Sequence, residues 1–170
     1  MVEKFLIDAN SFIAPYRQYY AFDLVPSYWE ELTAKAETGR IILLDMVKTE
    51  IDQGKDDLAR WLDNTTGFAV CNHVSPDIIQ KYQEVLQYVQ NCGLYKVTAL
   101  QTWAPSNIAD PWLIAAAAVR GYTIITSEVS SSGLNTKTPN KSAKIPDVAK
   151  AFGVKTENLF YMMRQLGISI

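Results

Sequence analysis

Four acidic side chains, Asp8, Glu50, Asp110 and Glu128, stand at positions from which carboxylates can do chemistry. Asp8 and Glu128 follow short apolar, β-rich runs, while Glu50 and Asp110 lie in what read as helical first turns. In a parallel sheet the starts of helices meet the carboxyl ends of strands, so residues far apart in sequence gather at one end. Clustered carboxylates repel one another unless a cation sits among them, and a hard divalent ion such as Mg2+ or Mn2+ is the natural partner for oxygen ligands. Such an ion lowers the pKa of a bound water, orients a phosphodiester and neutralises charge on a leaving oxygen. That mechanism needs no histidine and no covalent intermediate.

The remaining inventory narrows the chemistry further. The chain has a single histidine, His73, which argues against histidine-rich zinc sites, paired-histidine nucleases and most hydrolase triads. Its two cysteines, Cys71 and Cys92, lack CxxC spacing and read as free thiols. Neither a Gly-x-x-x-x-Gly-Lys-Ser/Thr loop nor a Gly-x-Gly-x-x-Gly turn is present, which sets nucleotide hydrolysis aside.

The elements that must hold these acids can be followed along the chain. Lys4-Phe-Leu-Ile7 reads as a buried strand ending at Asp8-Ala-Asn10-Ser11. Ser27-Tyr-Trp-Glu30 has the form of a capping box, opening a helix from Tyr28 to Thr38 that Gly39 stops. Ile41–Leu44 is a second buried strand, followed by a helix with Asp45 at its N-cap and Glu50 about a turn inside. Helical spacing recurs over Lys55–Leu62 and Pro76–Asn91, the second with a stripe that begins at Val74. Ala109-Asp110-Pro111 opens an almost wholly apolar helix, and Gly121 leads from it into a third strand ending at Thr126-Ser-Glu128. A polar stretch over 129–144 carries Lys137, Lys141 and Lys144 and no acid, and reads as a mobile, locally basic loop before a last helix ending near Gly167. The alternation predicts a doubly wound α/β fold in one domain over 1–170.

Each acid also has an ordinary structural explanation. Asp before Pro is what an N-cap looks like, so Asp110 has a strong capping alternative. Asp8 could cap the following turn, Glu50 could be a solvated helix charge, and Glu128 could belong to the polar loop. Asp147 reads as a charge at a helix start and stands outside the primary set. The lysines fit phosphate contacts or a solvated linker, and Trp103, Trp112, Tyr19 and Tyr20 fit core or partner surface better than base-stacking platforms.

A net charge of −2 over 170 residues gives no global attraction for nucleic acid, so a local patch or a metal ion must supply it. The apolar runs at Met1–Ile13 and Trp112–Val119 are too short for a signal or a membrane anchor, and a cytoplasmic protein is expected. The aromatic segment from Tyr16 to Trp29 offers contact surface for a second copy or another partner.

Strand-Asp8-x-Asn10-Ser11, Glu50 after the second strand, Ala-Asp110-Pro-Trp-Leu-Ile-Ala and Thr126-Ser-Glu128 together resemble the PIN-domain nucleases. Tyr28-Trp29-Glu30, the Asp110 run and Lys144-Ile-Pro-Asp147 resemble more narrowly the PIN-like DUF4411 group. The resemblance implies a three-layer α/β/α fold with a central parallel sheet, divalent-metal-dependent cleavage of RNA, and the toxin role in a toxin–antitoxin pair with a cognate antitoxin as partner. It places Asp8, Glu50 and Asp110 at the family's three principal metal-binding positions and Glu128 at the fourth, often aspartate, with Asn10, Ser11 and Thr126 as supporting polar groups. A haloacid-dehalogenase-type phosphatase would need an aspartate where Asn10 stands. The rival from another class is a non-catalytic PIN-like module that binds RNA or a protein.

Overall fold

The computed structural model describes all 170 residues. Three runs of aliphatic residues become the central strands β1 (Phe5–Ile7), β2 (Ile41–Leu44) and β4 (Thr123–Ile125), and every residue in them is buried. Consecutive side chains of a strand point to opposite faces, so uninterrupted burial requires cover on both faces of the sheet. Two shorter strands, β3 (Ala69–Cys71) and β5 (Thr156–Glu157), complete a five-stranded sheet in the order β3-β2-β1-β4-β5. All four pairings are parallel, and Phe5, Leu6 and Ile7 align with Thr123, Ile124 and Ile125.

Parallel neighbours need crossovers, and eight α-helices lie in them: α1 (Asn10–Ala14), α2 (Pro26–Ala36), α3 (Asp45–Asp52), α4 (Asp57–Asn64), α5 (Pro76–Asn91), α6 (Val97–Trp103), α7 (Ala109–Arg120) and α8 (Ile145–Ala151), with α9 (Leu159–Leu166) following the last strand. Right-handed crossovers put the β1–β2 and β2–β3 helices on one face and the β3–β4 and β4–β5 helices on the other, because the strand order reverses at β1. Side-chain contacts agree: Phe12, Trp29 and Trp61 of α1, α2 and α4 share an aromatic cluster, whereas Tyr82 of α5 stacks on Trp112 of α7 with ring centroids 3.7 Å apart. One continuous core of 45 buried apolar residues includes both sets. This is the expected three-layer α/β/α arrangement.

Local chemistry departs from several expectations. The helix after Val25 begins at Pro26, whose fixed φ suits a first helical position, and no side chain caps it, so the Ser27 capping box does not form. Asp45 is the first residue of α3 rather than its cap, because Leu44 is still extended. Glu50 consequently lies in the second turn of α3. Helix α4 starts two residues later than expected, its cap being Asp56, whose side chain accepts from the Ala59 N–H. Val74 is 64% exposed and lies outside the buried stripe of α5. The expected last helix is two helices with β5 between them, divided at Gly153, which takes φ 68°. A π-helical turn, Pro15–Tyr19, follows α1.

The 129–144 loop is fastened rather than loose. Asn140 forms a parallel bridge with Tyr95, the Ser131 N–H donates to Asp147 Oδ2 at 3.0 Å, and the Thr98 hydroxyl donates to the Lys141 carbonyl at 2.9 Å.

Candidate functional site

The strand order reverses between β1 and β4, and ligands of such sheets bind beyond the carboxyl ends of the strands at that point. Asp8 is the first residue beyond β1, its N–H donating to the Ile125 carbonyl at 2.9 Å. The register that pairs Ile7 with Ile125 puts Asp8 beside Thr126, whose hydroxyl donates to Asp8 Oδ2 at 3.1 Å. Thr126 Oγ1 also accepts from the Glu128 N–H at 3.1 Å, which folds Glu128 back over the same strand end. One Glu128 oxygen, Oε2, accepts from the Ile145 N–H at 2.7 Å and ties this corner to the start of α8. Ser11 supports the corner from the other side, donating to the Ile125 carbonyl at 3.3 Å. Asn10 is exposed.

Asp110 enters from α7. It is the second residue of that helix, after Ile108 at the N-cap, and no side chain caps the helix. The ordinary reading of Asp110 as an N-cap is therefore wrong, and the reason is positional: Ala109 already has helical geometry. Trp112 holds this end of the helix in place, its indole N–H donating to the Ser106 carbonyl at 3.3 Å.

Asp8 and Asp110 feel the charges of the neighbouring acids. Asp8 is only 6% exposed, and burial pushes its pKa up to about 6, with Glu128 and Glu50 adding to the rise and Thr126 opposing it. Burial likewise pushes Asp110 up to about 7, reinforced by the charges of Asp8, Glu128 and Glu50. Lys144 is the one cation that opposes this rise, and its influence is the smallest of those acting on Asp110. Glu50 has an exposed position on α3, yet its carboxyl is desolvated enough to be raised as well. Asp110 thus lies within electrostatic reach of the other three acids expected from the sequence. Asp147 influences Tyr88 and Tyr95 instead, and its carboxylate is occupied by the Ser131 N–H.

No three Asp, Glu, His or Cys side chains close directly around a single point as ligands for a metal. Mg2+ does not require that: it keeps several waters and takes one or two carboxylates. A half-buried carboxyl lining an open cleft, Asp110, with the buried Asp8 acting on it and only weak cationic compensation, fits such an ion.

The cleft has a volume of about 680 Å3 and is lined by Glu50 and Asp110 together with Gln53, His73, Thr102 and Asn107. Sequence reasoning gave His73 no place here. Its ring is fixed by Asp45, with Nδ1 2.7 Å from Oδ2, and by an edge-on contact with Trp112 at 4.8 Å between centroids. The two partners are 28 residues apart and share no motif, so the pairing of β2 with β3 is what brings them together. Both Trp112 and Trp103 are buried, as expected of core residues.

A second groove, of about 590 Å3, is lined by Phe22, Pro26, Trp29, Thr33 and Trp61. None of the four acids lines it. It lies within reach of the segment expected to offer contact surface.

The fold resembles two solved complexes: VapBC2 from Rickettsia felis bound to a DNA fragment from their promoter, and DNA-bound VapBC from Salmonella typhimurium. The first aligns at 15% identity with a TM-score of 0.55, covering 91% of this chain and 97% of the other. The second aligns at 15% identity with a TM-score of 0.52, covering 92% and 98%. At that identity the likeness is one of fold, an α/β arrangement of helices around a parallel five-stranded sheet. No curated protein matches the sequence. With residues 5–170 matching it, the chain belongs to the family described as Domain of unknown function (DUF4411).

Proposed function

We propose that this protein is a divalent-metal-dependent endoribonuclease and the toxin of a toxin–antitoxin pair, with Asp8, Glu50, Asp110 and Glu128 as its metal-binding and catalytic acids. The observation that carries the reading is the pair of carboxyls, Asp8 buried and Asp110 half-buried, at the switch point of the sheet, both raised by burial and by neighbouring acids with little to neutralise them. A fold that buries like charges together loses stability unless a ligand repays it, and sites of this kind concentrate at functional centres.

Bound Mg2+ or Mn2+ would supply Lewis-acid polarisation and an acidified water. Asp8 and Asp110 would hold the ion from the strand and helix ends. Glu50, on the exposed rim, would orient the attacking water, and Glu128 would complete the charge while its carboxylate keeps the start of α8 in place. Thr126 fixes the Asp8 carboxylate through its hydroxyl. RNA enters through the cleft between α3 and the start of α7.

The VapBC likeness favours an antitoxin as the protein partner, and the Phe22–Trp29–Trp61 groove is its candidate seat, with self-association as the competing use of that surface. No helix is long and apolar enough to cross a membrane, consistent with action in the cytoplasm. One observation favours a second reading, a non-catalytic RNA- or protein-binding module: no three potential ligands converge.

Cleavage of single-stranded RNA by purified protein, with and without Mn2+, separates the two. The nuclease reading expects cutting that requires metal and falls at least about 100-fold in Asp8→Asn, within the range over which catalytic groups act. Undiminished cutting by Asp8→Asn would overturn the assignment, and binding without cutting would select the module.

A further inference from the structure

Lysines 96, 137, 141 and 144 occupy a seam between the 129–144 loop and the segment that leads from α5 into α6. The seam is stitched at successive points. Thr136 packs against Gly93, its methyl carbon 3.5 Å from where a side chain at 93 would begin. Further along, the Asn140 N–H donates to the Leu94 carbonyl at 2.9 Å and the Lys96 N–H donates to the Asn140 carbonyl at 2.8 Å. The Thr98 hydroxyl then reaches the Lys141 carbonyl. Two segments bonded in register carry Lys137 and Lys141 on one side and Lys96 on the other. The loop continues to Lys144, whose charge reaches Asp110, and α6 continues to Thr102 in the lining of the acidic cleft. Both sides of the seam therefore lead to the same place.

None of these four lysines makes an ion pair, although the chain's other charged groups form eight such contacts. Lys96, Lys137 and Lys141 are exposed, and the stretch from Val129 to Lys144 has no acid. In a chain of net charge −2, an unneutralised row of cations ending at a carboxylate cleft is a local departure from the average. Exposed lysines without partners cost nothing to leave solvated, so folding does not account for the row. A partner with regularly spaced negative charges would.

We propose that this seam is a track for the phosphate backbone of a single-stranded nucleic acid, delivering the strand to the cleft between Glu50 and Asp110. The proposal rests on the nuclease reading for the identity of the cleft, but the track makes a separate demand. Binding through phosphates releases counterions, and each single-strand contact contributes about 0.7 to the slope of log affinity against log salt. Lys144 is kept out of the test because it also acts on Asp110.

The experiment measures the affinity of a labelled single-stranded RNA by fluorescence anisotropy across a salt series in metal-free buffer, where no cutting takes place. Wild type is compared with the Lys96→Ala, Lys137→Ala, Lys141→Ala triple variant and with Lys35→Ala, a half-buried lysine on α2 away from the seam. The expected result is a loss of at least 10-fold in affinity at low salt and a slope smaller by about 2 for the triple variant, with Lys35→Ala unchanged. An unchanged slope would overturn the track, as would a triple variant that loses binding to polyglutamate but keeps RNA, since the row would then serve an acidic protein. Manganese-dependent cutting abolished by Asp8→Asn alongside an unchanged slope would sink the track alone. A reduced slope with no cutting at all would instead sink the nuclease reading and leave the track standing.

Discussion

Asp8 and Asp110 show how burial turns an ordinary residue type into a poised one. Both pKa values lie above the usual 3.8, at about 6 and about 7. The folded chain therefore holds protons that the unfolded chain releases between about pH 4 and pH 7. For these two groups the metal-free protein is most stable below pH 4, and their contribution is lost as pH rises to 7, at on the order of 3 kcal/mol per carboxyl. Asp8→Asn and Asp110→Asn should each flatten this decline and raise apo stability at pH 7.5, read by urea denaturation across pH. Destabilisation of the apo form by Asp110→Ala at pH 7.5, spared in Asp110→Asn, would restore the capping reading that the helix geometry removes. Residue types and strand ends made the four acids legible in the sequence, because Asp8 and Glu128 follow runs that could only be strands. The His73–Asp45 pair and the nearness of Lys144 to Asp110 were not legible, since neither lies in a local pattern.

At the scale of elements, α7 is the part on which the site most depends, because its first turn carries Asp110 and its body is nearly all buried. Gly121 ends it in the left-handed region at φ 74°, with nothing within 4 Å of where a Cβ would stand. Gly121→Ala therefore meets no clash, only backbone strain of about 1 kcal/mol, measurable as a shift in urea midpoint with an unchanged slope. A cost near zero would mean that the turn relaxes without disturbing β4. Strands β1, β2 and β4 were readable because each is a compact apolar run entered from a turn. Strand β3 was not, as it has three residues with Val70 58% exposed, and β5, with two half-buried polar residues, has no hydrophobic signal at all. Long-range pairing creates both. Pro26 displaced the Ser27 capping box for a similarly plain reason: the ring's fixed φ starts the helix two residues earlier.

Across the whole molecule, one continuous apolar core underlies both layers of helices, and the chain is read as one folding unit over 1–170. Thermal unfolding should be a single transition by far-UV and near-UV circular dichroism alike. Mn2+ should raise its midpoint, because an ion that binds only the folded state stabilises by RT ln(1 + [L]/Kd), about 2.7 kcal/mol at one hundred times Kd. Two separable transitions would divide the chain into independent units.

The central claim is that the Asp8 and Asp110 carboxyls at the switch point hold a divalent cation, and calorimetric titration of Mn2+ into purified protein at pH 6.5 tests it most directly. Asp8 and Asp110 then carry protons part of the time, so binding should release them, and the apparent heat should change with the ionisation enthalpy of the buffer. The account predicts saturable binding to wild type with proton release, and loss of both in Asp8→Asn and Asp110→Asn. Binding of equal affinity to wild type and both variants, or none to wild type, would contradict it.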